Sequence, residues 1–453
     1  MPKKKTALTI EERLQQALVP AEEQPYKVPE NWVWVRLGAI AEIVTGGTPS
    51  KKHPEYYGGN FPFYKPSDLD QGRLTYDASE YLSEEGKNVS RIIPKNSTAV
   101  CCIGSIGKCG YLMCEGTTNQ QINSAIPKIN SLCLYYYLCT ENFVQDLLSM
   151  ASATTIAIVN KSKMESCAFP LPPLSEQQRI VERIEELFAK LDEAKERLQE
   201  VADSFAVRKA AILHKAFTGE LTKQWRRENG VSDESWEEKK LGEVSFWLGG
   251  GTPSTSREEY WENGNILWIT SKDMKSAVIE DTLMKVNEIG VKNSSANYIE
   301  KPALLVVMRS GILRRTFPVA MVKKPFTVNQ DLKAIIPDKD DLEFLYWMLL
   351  SNEQRILDTC MKNGTTVESI NSNALKDLTF KCPTLPEQHE IVRLIDDLLA
   401  RERSAQQAAE QALASIDLMK KSILARAFRG ELGTNKASEA SALELLKQVL
   451  AEN

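Results

Sequence analysis

The chain repeats itself once along most of its 453 residues. The pentapeptide GGTPS begins at Gly46 and again at Gly250, 204 residues later, within the stretches LGAIAEIVTGGTPS and LGEVSFWLGGGTPS. Further along, PLSEQQRIVERIEELF matches TLPEQHEIVRLIDDLL, and AFTGEL at Ala216 matches AFRGEL at Ala427, 211 residues later. A repeat of this length indicates two copies of one structural unit. The seven extra residues of the second copy are expected in loops of its globular part.

Each copy is predicted to form a mixed α and β globular part followed by one long helix. Apolar runs such as STAVCCIGSIG and ALLVVMRSGI, broken by Gly and Asn, indicate strands and turns. In the rear segments, apolar residues recur in alternating steps of four and three, which is the period of a coiled-coil seam. The predicted helix-helix packing positions are Ile180, Ile184, Leu187, Leu191, Leu198, Val201, Ile391, Ile395, Leu398, Ile416, Met419 and Ile423.

The ends of the first long helix are marked by a predicted capping box, Ser175 with Gln178, and by Gly219. About 43 residues between these signals would form a rod of about 65 Å. Thr384 with Glu387 is predicted to cap the second helix in the same way. Because one amphipathic helix cannot bury its own apolar stripe, we expect the two helices to pack together antiparallel, with a globular part at each end about a pseudo-two-fold axis. Two similar modules at a fixed, inverted separation suit duplex DNA.

Charge and cysteine content restrict the other possibilities. The formal net charge of -5 neither supports nor excludes nucleic-acid binding. No signal peptide and no apolar stretch of membrane-spanning length is found, so a cytoplasmic location is expected. Nine cysteines without secretory context predict reduced thiols. The group Cys101, Cys102, Cys109 and Cys114 lacks paired CxxC spacing, and no metal site is predicted.

The ordered repeat resembles the specificity subunits of Type I restriction-modification systems. The similarity lies in the openings PLSEQQRIV and TLPEQHEIV, in GGTPS with its trailing YY or YW, in FPFYKPSDL and ILWITSKDM, and in NQQINSAIP and NQDLKAIIP. It extends from about Trp32 to Leu432, and its strength is the order of these motifs. One departure from the first copy is Pro386, which stands where the first copy has Ser175.

The resemblance implies an α+β fold class, with two mixed α/β target recognition domains separated by two long antiparallel coiled-coil helices and a pseudo-two-fold internal repeat. The predicted segments are an N-terminal helical extension (1–30), target recognition domain 1 (31–172), long helix 1 as spacer (173–220), a linker (221–235), target recognition domain 2 (236–383), long helix 2 as spacer (384–431) and a C-terminal helical tail (432–453).

The resemblance also implies a non-catalytic function. Each recognition domain would read one half of a bipartite, asymmetric target in double-stranded DNA, and the helices would set the spacer. The helices would dock two modification subunits, which methylate adenine with S-adenosylmethionine. Two restriction subunits would add the ATP- and Mg-dependent motor and nuclease, so this chain would bind no cofactor. The two chain ends, ALTIEERLQQAL and ALELLKQVLAEN, would come together and mimic the central linker.

Missing motifs agree with a chain that lacks its own active site. The sequence has no Asn-Pro-Pro-Tyr or Asp-Pro-Pro-Tyr methylation motif, no Gly-rich S-adenosylmethionine loop, no helicase loop and no HExxH. Its only histidines, His53, His214 and His389, are scattered. Catalysis is therefore expected in partner chains.

Sequence readout needs Arg or Lys for guanine and Asn or Gln for adenine. GGTPS lacks the GxxxxGK[ST] spacing of a nucleotide-binding loop and is predicted to be a structural turn, with phosphate positioning as the alternative. For each basic candidate the alternative is a solvated surface charge, whereas Gln120, Gln121, Asn329 and Gln330 are predicted to be structural. The DNA-binding candidates are Thr48, Lys51, Lys52, Lys65, Arg73, Lys87, Asn88, Arg91, Lys108, Lys272, Lys275, Lys292, Arg309, Arg314, Arg315, Lys323 and Lys324.

Two other functions stay open from the sequence. The chain could be the recognition subunit of a related modification system that lacks a nuclease. It could also be a coiled-coil scaffold that binds proteins through both globular parts and has no DNA role.

Overall fold

The computed structural model describes residues 9–151, 157–362 and 367–452. The chain divides into two compact units: unit 1 comprises Met1–Leu198 and Gln411–Asn453, and unit 2 comprises Gln199–Glu410. The first eight residues of the predicted N-terminal extension lie outside the described part. Within the described residues, no helix has the length and apolarity needed to cross a membrane.

The first copy of the repeat alternates short strands and short helices before its long helix. Its elements are α1 (Ile10–Ala17), β1 (Val33–Arg36), α2 (Leu37–Ile40), β2 (Ala41–Thr45), β3 (Tyr57–Tyr64), β4 (Glu80–Leu82), α3 (Glu84–Asn88), β5 (Thr98–Cys101), β6 (Cys109–Tyr111), β7 (Thr117–Thr118), β8 (Ile122–Pro127), α4 (Ser131–Leu138), α5 (Glu141–Ser149), α6 (Lys161–Ser166), β9 (Ala168–Leu171), α7 (Leu174–Asp203), α8 (Phe205–Phe217) and α9 (Lys223–Glu228).

The second copy follows the same order of strands. Its elements are β10 (Glu237–Lys240), β11 (Ser245–Gly249), β12 (Ile266–Ile269), β13 (Met284–Val286), α10 (Glu288–Lys292), β14 (Ala303–Val307), β15 (Val319–Val322), β16 (Phe326–Val328), β17 (Leu332–Pro337), α11 (Leu342–Ser351), α12 (Glu353–Cys360), α13 (Ser372–Lys376), β18 (Thr379–Cys382), α14 (Leu385–Ala427) and α15 (Ala442–Ala451).

The sheets of the two copies have the same strand order. Unit 1 holds the sheets β2-β8-β5-β6, β4-β3-β7 and β1-β9, and unit 2 holds β11-β17-β14-β15, β13-β12-β16 and β10-β18. All pairings are antiparallel except β3 with β7 and β12 with β16. The runs TAVC in β5 and ALLVV in β14 are buried throughout, because each strand lies inside its four-stranded sheet with both faces covered. The predicted α+β class is confirmed.

Each globular core is closed by the start of one long helix and the end of the other. In unit 1, Ile180 and Ile184 of α7 join the core together with Leu424 and Phe428 of the second helix region. In unit 2, Ile391 and Ile395 of α14 join the core with Leu213 and Ala216 of α8. Burying these apolar stripes against the sheets and helices of each unit is the main contribution to helix stability.

The long helices run antiparallel within each unit. In unit 1, Lys420 donates to Asp192 at 2.5 Å and lies over the ring of Phe188. In unit 2, Arg208 pairs with Glu402. The predicted single first helix is divided, since α7 ends at Asp203 and α8 begins two residues later. Ser204 lies between them, and its hydroxyl bonds back to the carbonyl of Glu200, a contact that weakens the local helix.

The predicted seam is wrong at some positions. Met419 exposes 47% of its surface and Val201 exposes 37%, so neither residue is buried between the helices. Leu399 and Leu424 are buried next to the predicted Leu398 and Ile423, which are only partly buried. The buried packing positions of the predicted set are Ile180, Ile184, Ile391, Ile395 and Ile416; Leu187, Leu191 and Leu198 are half-buried.

Each long helix starts with a Glu-Gln pair, Glu176 with Gln177 in the first and Glu387 with Gln388 in the second. These residues have structural roles that the capping-box prediction missed. Gln178 is bonded to Asn130 and Glu182, so it does not cap Ser175. Glu387 is fully buried, and its carboxylate accepts hydrogen bonds from Thr222 and Arg226. Both predicted capping boxes are therefore wrong, because tertiary partners take the side chains that local capping would use.

The buried glutamate of each pair binds residues that follow the other long helix. Glu387 accepts hydrogen bonds from Thr222 and Arg226, both at 2.7 Å, beyond the end of α8. Glu176 accepts hydrogen bonds from Asn435 at 2.8 Å and Thr434 at 3.2 Å, beyond the end of α14. These two contact sets are called the glutamate clasps. Each closes the junction between helix start and helix end within one unit.

The glutamine of each pair ties the long helix to its own globular part. The side-chain oxygen of Gln177 accepts a hydrogen bond from the backbone N–H of Asn130 at 3.1 Å. The side-chain NH₂ group of Gln177 donates to the backbone carbonyl of Pro172. The Gln388 carbonyl accepts the N–H of Asp341 at 2.8 Å. Asn130 and Asp341 are the N-cap residues of α4 and α11. The glutamines therefore fix equivalent short helices against the long helices.

The chain ends meet in unit 1, as the resemblance implied. Helix α1 packs on α15, and Arg13 donates to the carbonyl of Leu450 at 3.3 Å. Arg179 of α7 holds Glu439 through two hydrogen bonds of 2.8 and 2.7 Å. Trp32 completes the unit 1 clasp by donating to Glu176 at 2.7 Å. In unit 1, segments near both termini thus contribute to the junction between the long helices. In unit 2, residues of the central linker form the equivalent junction.

Candidate nucleic-acid interface

In the first GGTPS turn, the backbone N–H groups of both glycines are already used within the protein. Gly46 N–H donates to the carbonyl of Ile122 at 3.0 Å, and Gly47 N–H donates to that of Thr118 at 2.9 Å. A Cβ on Gly46 would lie 2.2 Å from the carbonyl oxygen of Asn119, and a Cβ on Gly250 would lie 1.8 Å from that of Val328. The first glycine is therefore required by close backbone packing, which supports the structural reading of the turn.

Each GGTPS turn is joined to an Asn-Gln turn by a side-chain hydrogen bond. Thr48 donates to Gln120 in unit 1, and Thr252 donates to Gln330 at 2.8 Å in unit 2. The Asn-Gln turns are themselves closed by Asn119 accepting the N–H of Gln121. Asn329 closes the equivalent turn through the N–H of Asp331 at 3.2 Å. The structural reading of Gln120, Gln121, Asn329 and Gln330 agrees with these bonds, and the Thr48 hydroxyl is engaged within the protein.

A third segment lies against the same turn in both units. Arg91 donates to the carbonyl of Thr45 in unit 1, and Asn297 donates to the carbonyl of Gly249 at 2.7 Å in unit 2. Lys51 and Lys52 are exposed immediately after the first GGTPS turn. The structure thus gathers Thr48, Lys51, Lys52 and Arg91 around one edge, here called the turn edge.

A buried aspartate positions a second group of candidates, and sequence reasoning missed it. Asp68 accepts the N–H of Lys65 at 2.7 Å and the N–H of Ser79 at 3.1 Å. Asp273 does the same for Thr270 at 2.9 Å and Leu283 at 3.2 Å. Lys272 belongs to this second turn. The only sequence signal was the shared aspartate in FPFYKPSDL and ILWITSKDM.

Several candidates of the first domain form ion pairs. Lys65 pairs with Glu80 at 2.7 Å, Lys87 pairs with Glu115 at 3.1 Å and lies over Phe61, and Lys108 pairs with Asp70 at 2.6 Å. All three lysines keep about a third of their side-chain surface exposed. Exposed pairs of this kind contribute about 0–1 kcal/mol, so phosphate could compete for the ammonium groups.

Arg73 lies at the joint between the first domain and α7. Its guanidinium donates to Glu185 at 3.1 Å and stacks over the ring of Tyr111 at 4.8 Å. Tyr136 donates to the same carboxylate at 3.3 Å. Arg73 thus links the domain to the long helix, and its predicted DNA contact would require these bonds to break.

The second domain has both paired and unpaired candidates. Lys323 pairs with Glu343 at 2.7 Å, and this hydrogen bond raises the pKa of Lys323 above its ordinary value. Lys324 pairs with Glu280 at 2.7 Å, and Arg314 pairs with Glu368. Within residues 9–151, 157–362 and 367–452, no ion pair is found for Lys272, Lys275, Lys292, Arg309 or Arg315, all exposed.

Asn88 and Lys292 occupy equivalent, exposed places. Asn88 is the last residue of α3, and Lys292 is the last residue of α10. The N-caps of these helices are Ser83 and Asn287, whose side chains accept the N–H of equivalent glycines. The same scaffold therefore presents an amide in one domain and a cation in the other, two groups that favour different bases.

Comparison with known proteins identifies the family. Residues 29–203 and 233–412 match the family described as Type I restriction modification DNA specificity domain. The Type I restriction enzyme EcoR124I/EcoR124II specificity subunit of Escherichia coli is 40% identical over 159 residues, 35% of this chain and 39% of that protein. The MjaIX specificity subunit of Methanocaldococcus jannaschii is 25% identical over 406 residues, 83% of this chain and 88% of that protein.

Solved structures share the fold. The crystal structure of the HsdS subunit from Thermoanaerobacter tengcongensis has a TM-score of 0.65 at 18% identity, with 90% of this chain and 99% of that chain covered. A chain from a structure of the type I R-M system has a TM-score of 0.61, also at 18% identity. The chain therefore belongs to the specificity-subunit family of Type I restriction-modification systems and carries its DNA specificity domain twice.

Proposed function

We propose that this chain is the DNA-targeting subunit of a Type I restriction-modification enzyme. Each globular domain reads one half of a bipartite, asymmetric target in double-stranded DNA, and the long helices set the number of unread base pairs between the halves. Two modification subunits dock on the helices and methylate adenine, and two restriction subunits supply the motor and the nuclease. S-adenosylmethionine, ATP and Mg belong to those partners in this proposal.

The observation that carries the proposal is one hydrogen-bonded framework that exposes different residues in the two units. The GGTPS turn, the Asn-Gln turn and the aspartate turn recur with the same hydrogen bonds in both units. Directly after GGTPS, however, unit 1 exposes Lys51 and Lys52 where unit 2 exposes Thr255 and Ser256. A common framework with different exposed donors suits the reading of two different base sequences.

Exposed apolar residues support the docking of two copies of a partner. Val207 on α8 and Leu418 on α14 lie 211 residues apart, at equivalent positions of the repeat. They expose 72% and 67% of their surface. In this proposal the modification subunits cover these two residues when they dock.

Footprinting on DNA with the modification subunit tests the proposal. We expect protection of two short half-sites separated by several accessible base pairs. Lys51→Ala with Lys52→Ala should weaken protection of one half-site and reduce the slope of log affinity against log salt by about two, because each lysine releases about one counterion. Lys272→Ala with Lys292→Ala should do the same at the other half-site.

Three outcomes separate the alternatives. One continuous protected block, or equal binding to all sequences, contradicts the proposal. Affinity for DNA that does not change with salt favours a protein scaffold. Methylation without cleavage by the complete set of partner chains favours a modification system that lacks a nuclease.

A further inference from the structure

The first strand of each domain has one edge that the domain itself does not cover. In unit 1, β1 pairs with β9 on one side, and the other side is covered by the preceding chain segment. Val19 N–H donates to the carbonyl of Trp34 at 3.0 Å, and Leu18 forms an antiparallel bridge with Val35. In unit 2, β10 pairs with β18 alone among the strands of the described chain. The carbonyl equivalent to that of Trp34 belongs to the exposed Glu238.

The segment that covers β1 also inserts an aromatic side chain. The ring of Tyr26 packs edge-on against Trp34, with 4.9 Å between ring centroids, and Arg429 lies 5.4 Å above it. Burial raises the pKa of the Tyr26 hydroxyl well above its ordinary value. Behind it, Tyr137, Phe169 and Phe428 form a packed aromatic group.

The same place in unit 2 is a cavity of about 430 Å³. Its lining includes the residues 211 positions after Tyr137 and Phe169, 211 positions before Phe428 and Arg429, and 204 positions after Trp34. They are Met348, Phe380, Phe217, Thr218 and Glu238. The cavity is therefore the empty equivalent of the seat that Tyr26 fills in unit 1.

The aromatic rings at the base of this cavity are more exposed than their equivalents in unit 1. Phe428 is completely buried in unit 1, whereas its equivalent Phe217 is only partly buried. Phe169 is likewise fully buried, and Phe380 retains some exposure. The difference follows from the missing cover, because apolar rings at the floor of an open cavity keep contact with water.

We propose that this face of unit 2 binds an extended segment of another polypeptide. The segment adds as a strand along the free edge of β10 and places an aromatic side chain in the cavity, between Phe217, Met348 and Phe380. Main-chain hydrogen bonds along β10 supply affinity, and the aromatic seat supplies selectivity. The inference does not depend on the proposed DNA-targeting function.

Charge at the rim defines the partner further. His214, Arg355 and Lys381 line the cavity with one carboxylate, Glu238. Arg355 is exposed and donates to Thr379, which keeps its charge at the rim. In unit 1 the covering segment carries Glu22 and Glu23 ahead of Tyr26, and Glu23 pairs with Arg36. The occupant of unit 2 therefore has acidic residues before its aromatic side chain.

A labelled synthetic peptide with the sequence of Leu18–Val28, LVPAEEQPYKV, is the probe. We expect saturable binding to the full chain in fluorescence anisotropy, because unit 1 already holds its own covalently attached copy and unit 2 has a free seat. A peptide with Ala in place of the tyrosine should bind about tenfold more weakly, since the aromatic ring supplies most of the buried apolar area.

Variants of unit 2 locate the site. Ser351→Trp fills the cavity and should abolish binding, whereas the matched change Ser351→Ala should leave it unchanged. Arg355→Glu with Lys381→Glu changes exposed residues only and should weaken binding about tenfold, which tests the rim if Ser351→Trp does not fold. Glu238→Trp with Thr218→Arg gives the seat the side chains of unit 1 and should tighten binding about tenfold.

Three results would overturn the proposal. They are no binding of the peptide, equal binding to a folded Ser351→Trp variant, and no effect of replacing the tyrosine. The circular dichroism spectrum and thermal unfolding of each variant establish that it is folded.

Discussion

At the scale of single residues, Gly46 and Gly47 are neighbours with opposite tolerance. A Cβ on Gly46 would meet backbone oxygen at 2.2 Å, whereas a Cβ on Gly47 would meet nothing within 4 Å. We expect Gly46→Ala to lower the free energy of unfolding by about 1–3 kcal/mol through overpacking. Gly47→Ala is the matched control and should change it by less than about 0.5 kcal/mol. Urea denaturation measures both, and equal effects would contradict the packing argument.

The glutamate clasps also depend on single residues. Arg226 and Glu387 form a buried ion pair at 2.7 Å, and the clasp of unit 1 replaces this arginine with the neutral donors Thr434 and Asn435. Glu387→Ala leaves the buried guanidinium of Arg226 with the exposed Asp233 as its remaining ion-pair partner and should destabilise unit 2 by about 3 kcal/mol. Glu193→Ala, which removes an exposed pair with Arg197, is the control and should cost about 0.5 kcal/mol or less. Denaturation monitored in unit 2 measures both changes in the free energy of unfolding. Equal changes in the two variants would contradict the argument.

At the scale of elements, the C-terminal tail is held on α7 partly by a titratable group. The hydrogen bond from Arg179 lowers the pKa of Glu439 below its ordinary value of 4.5. A carboxylate whose pKa is depressed in the folded state contributes stability above its ordinary pKa, and this contribution is lost as pH falls through the lowered value. The difference in stability between the natural chain and Glu439→Gln should therefore be constant from pH 7 to 5 and shrink below 4.5.

The control for this pH dependence is Glu444→Gln. Glu444 pairs with Lys447 on the surface of α15. Its difference from the natural chain should stay small at every pH. A Glu439→Gln difference that grows on acidification would contradict the assigned role of Arg179.

The long helices are expected to act as a ruler. Deleting one heptad from each, residues 194–200 and 411–417, keeps the seam in phase and shortens the pair by about 10 Å, or about three base pairs of DNA. We expect the spacer of the recognised target to shorten by about that amount, or assembly with the partners to fail. Methylation mapping of DNA checks this, and an unchanged target in an active complex would refute the ruler.

At the scale of the whole molecule, the repeat predicted the fold well because it consists of patterns between residues that are close in sequence. Apolar periodicity, glycine positions and matched motifs were enough to predict two mixed α/β domains with long helices and the structural role of the first glycine of GGTPS. They could not predict which side chains meet over long sequence distances. Arg73 binds Glu185, 112 residues away, and Glu387 binds Arg226, 161 residues away. Such partners depend on the packed fold. For this reason the predicted DNA-binding residues included Arg73, which the structure uses to link the first domain to α7.

The uncovered edge of β10 has a consequence for the doubled chain. One domain carries its own cover from the N-terminus, while its twin meets solvent at the corresponding strand. The two copies of the repeat therefore present different surfaces at equivalent strands, although their sheets have the same strand order. The cover of this strand edge therefore distinguishes the two domains independently of any DNA sequence.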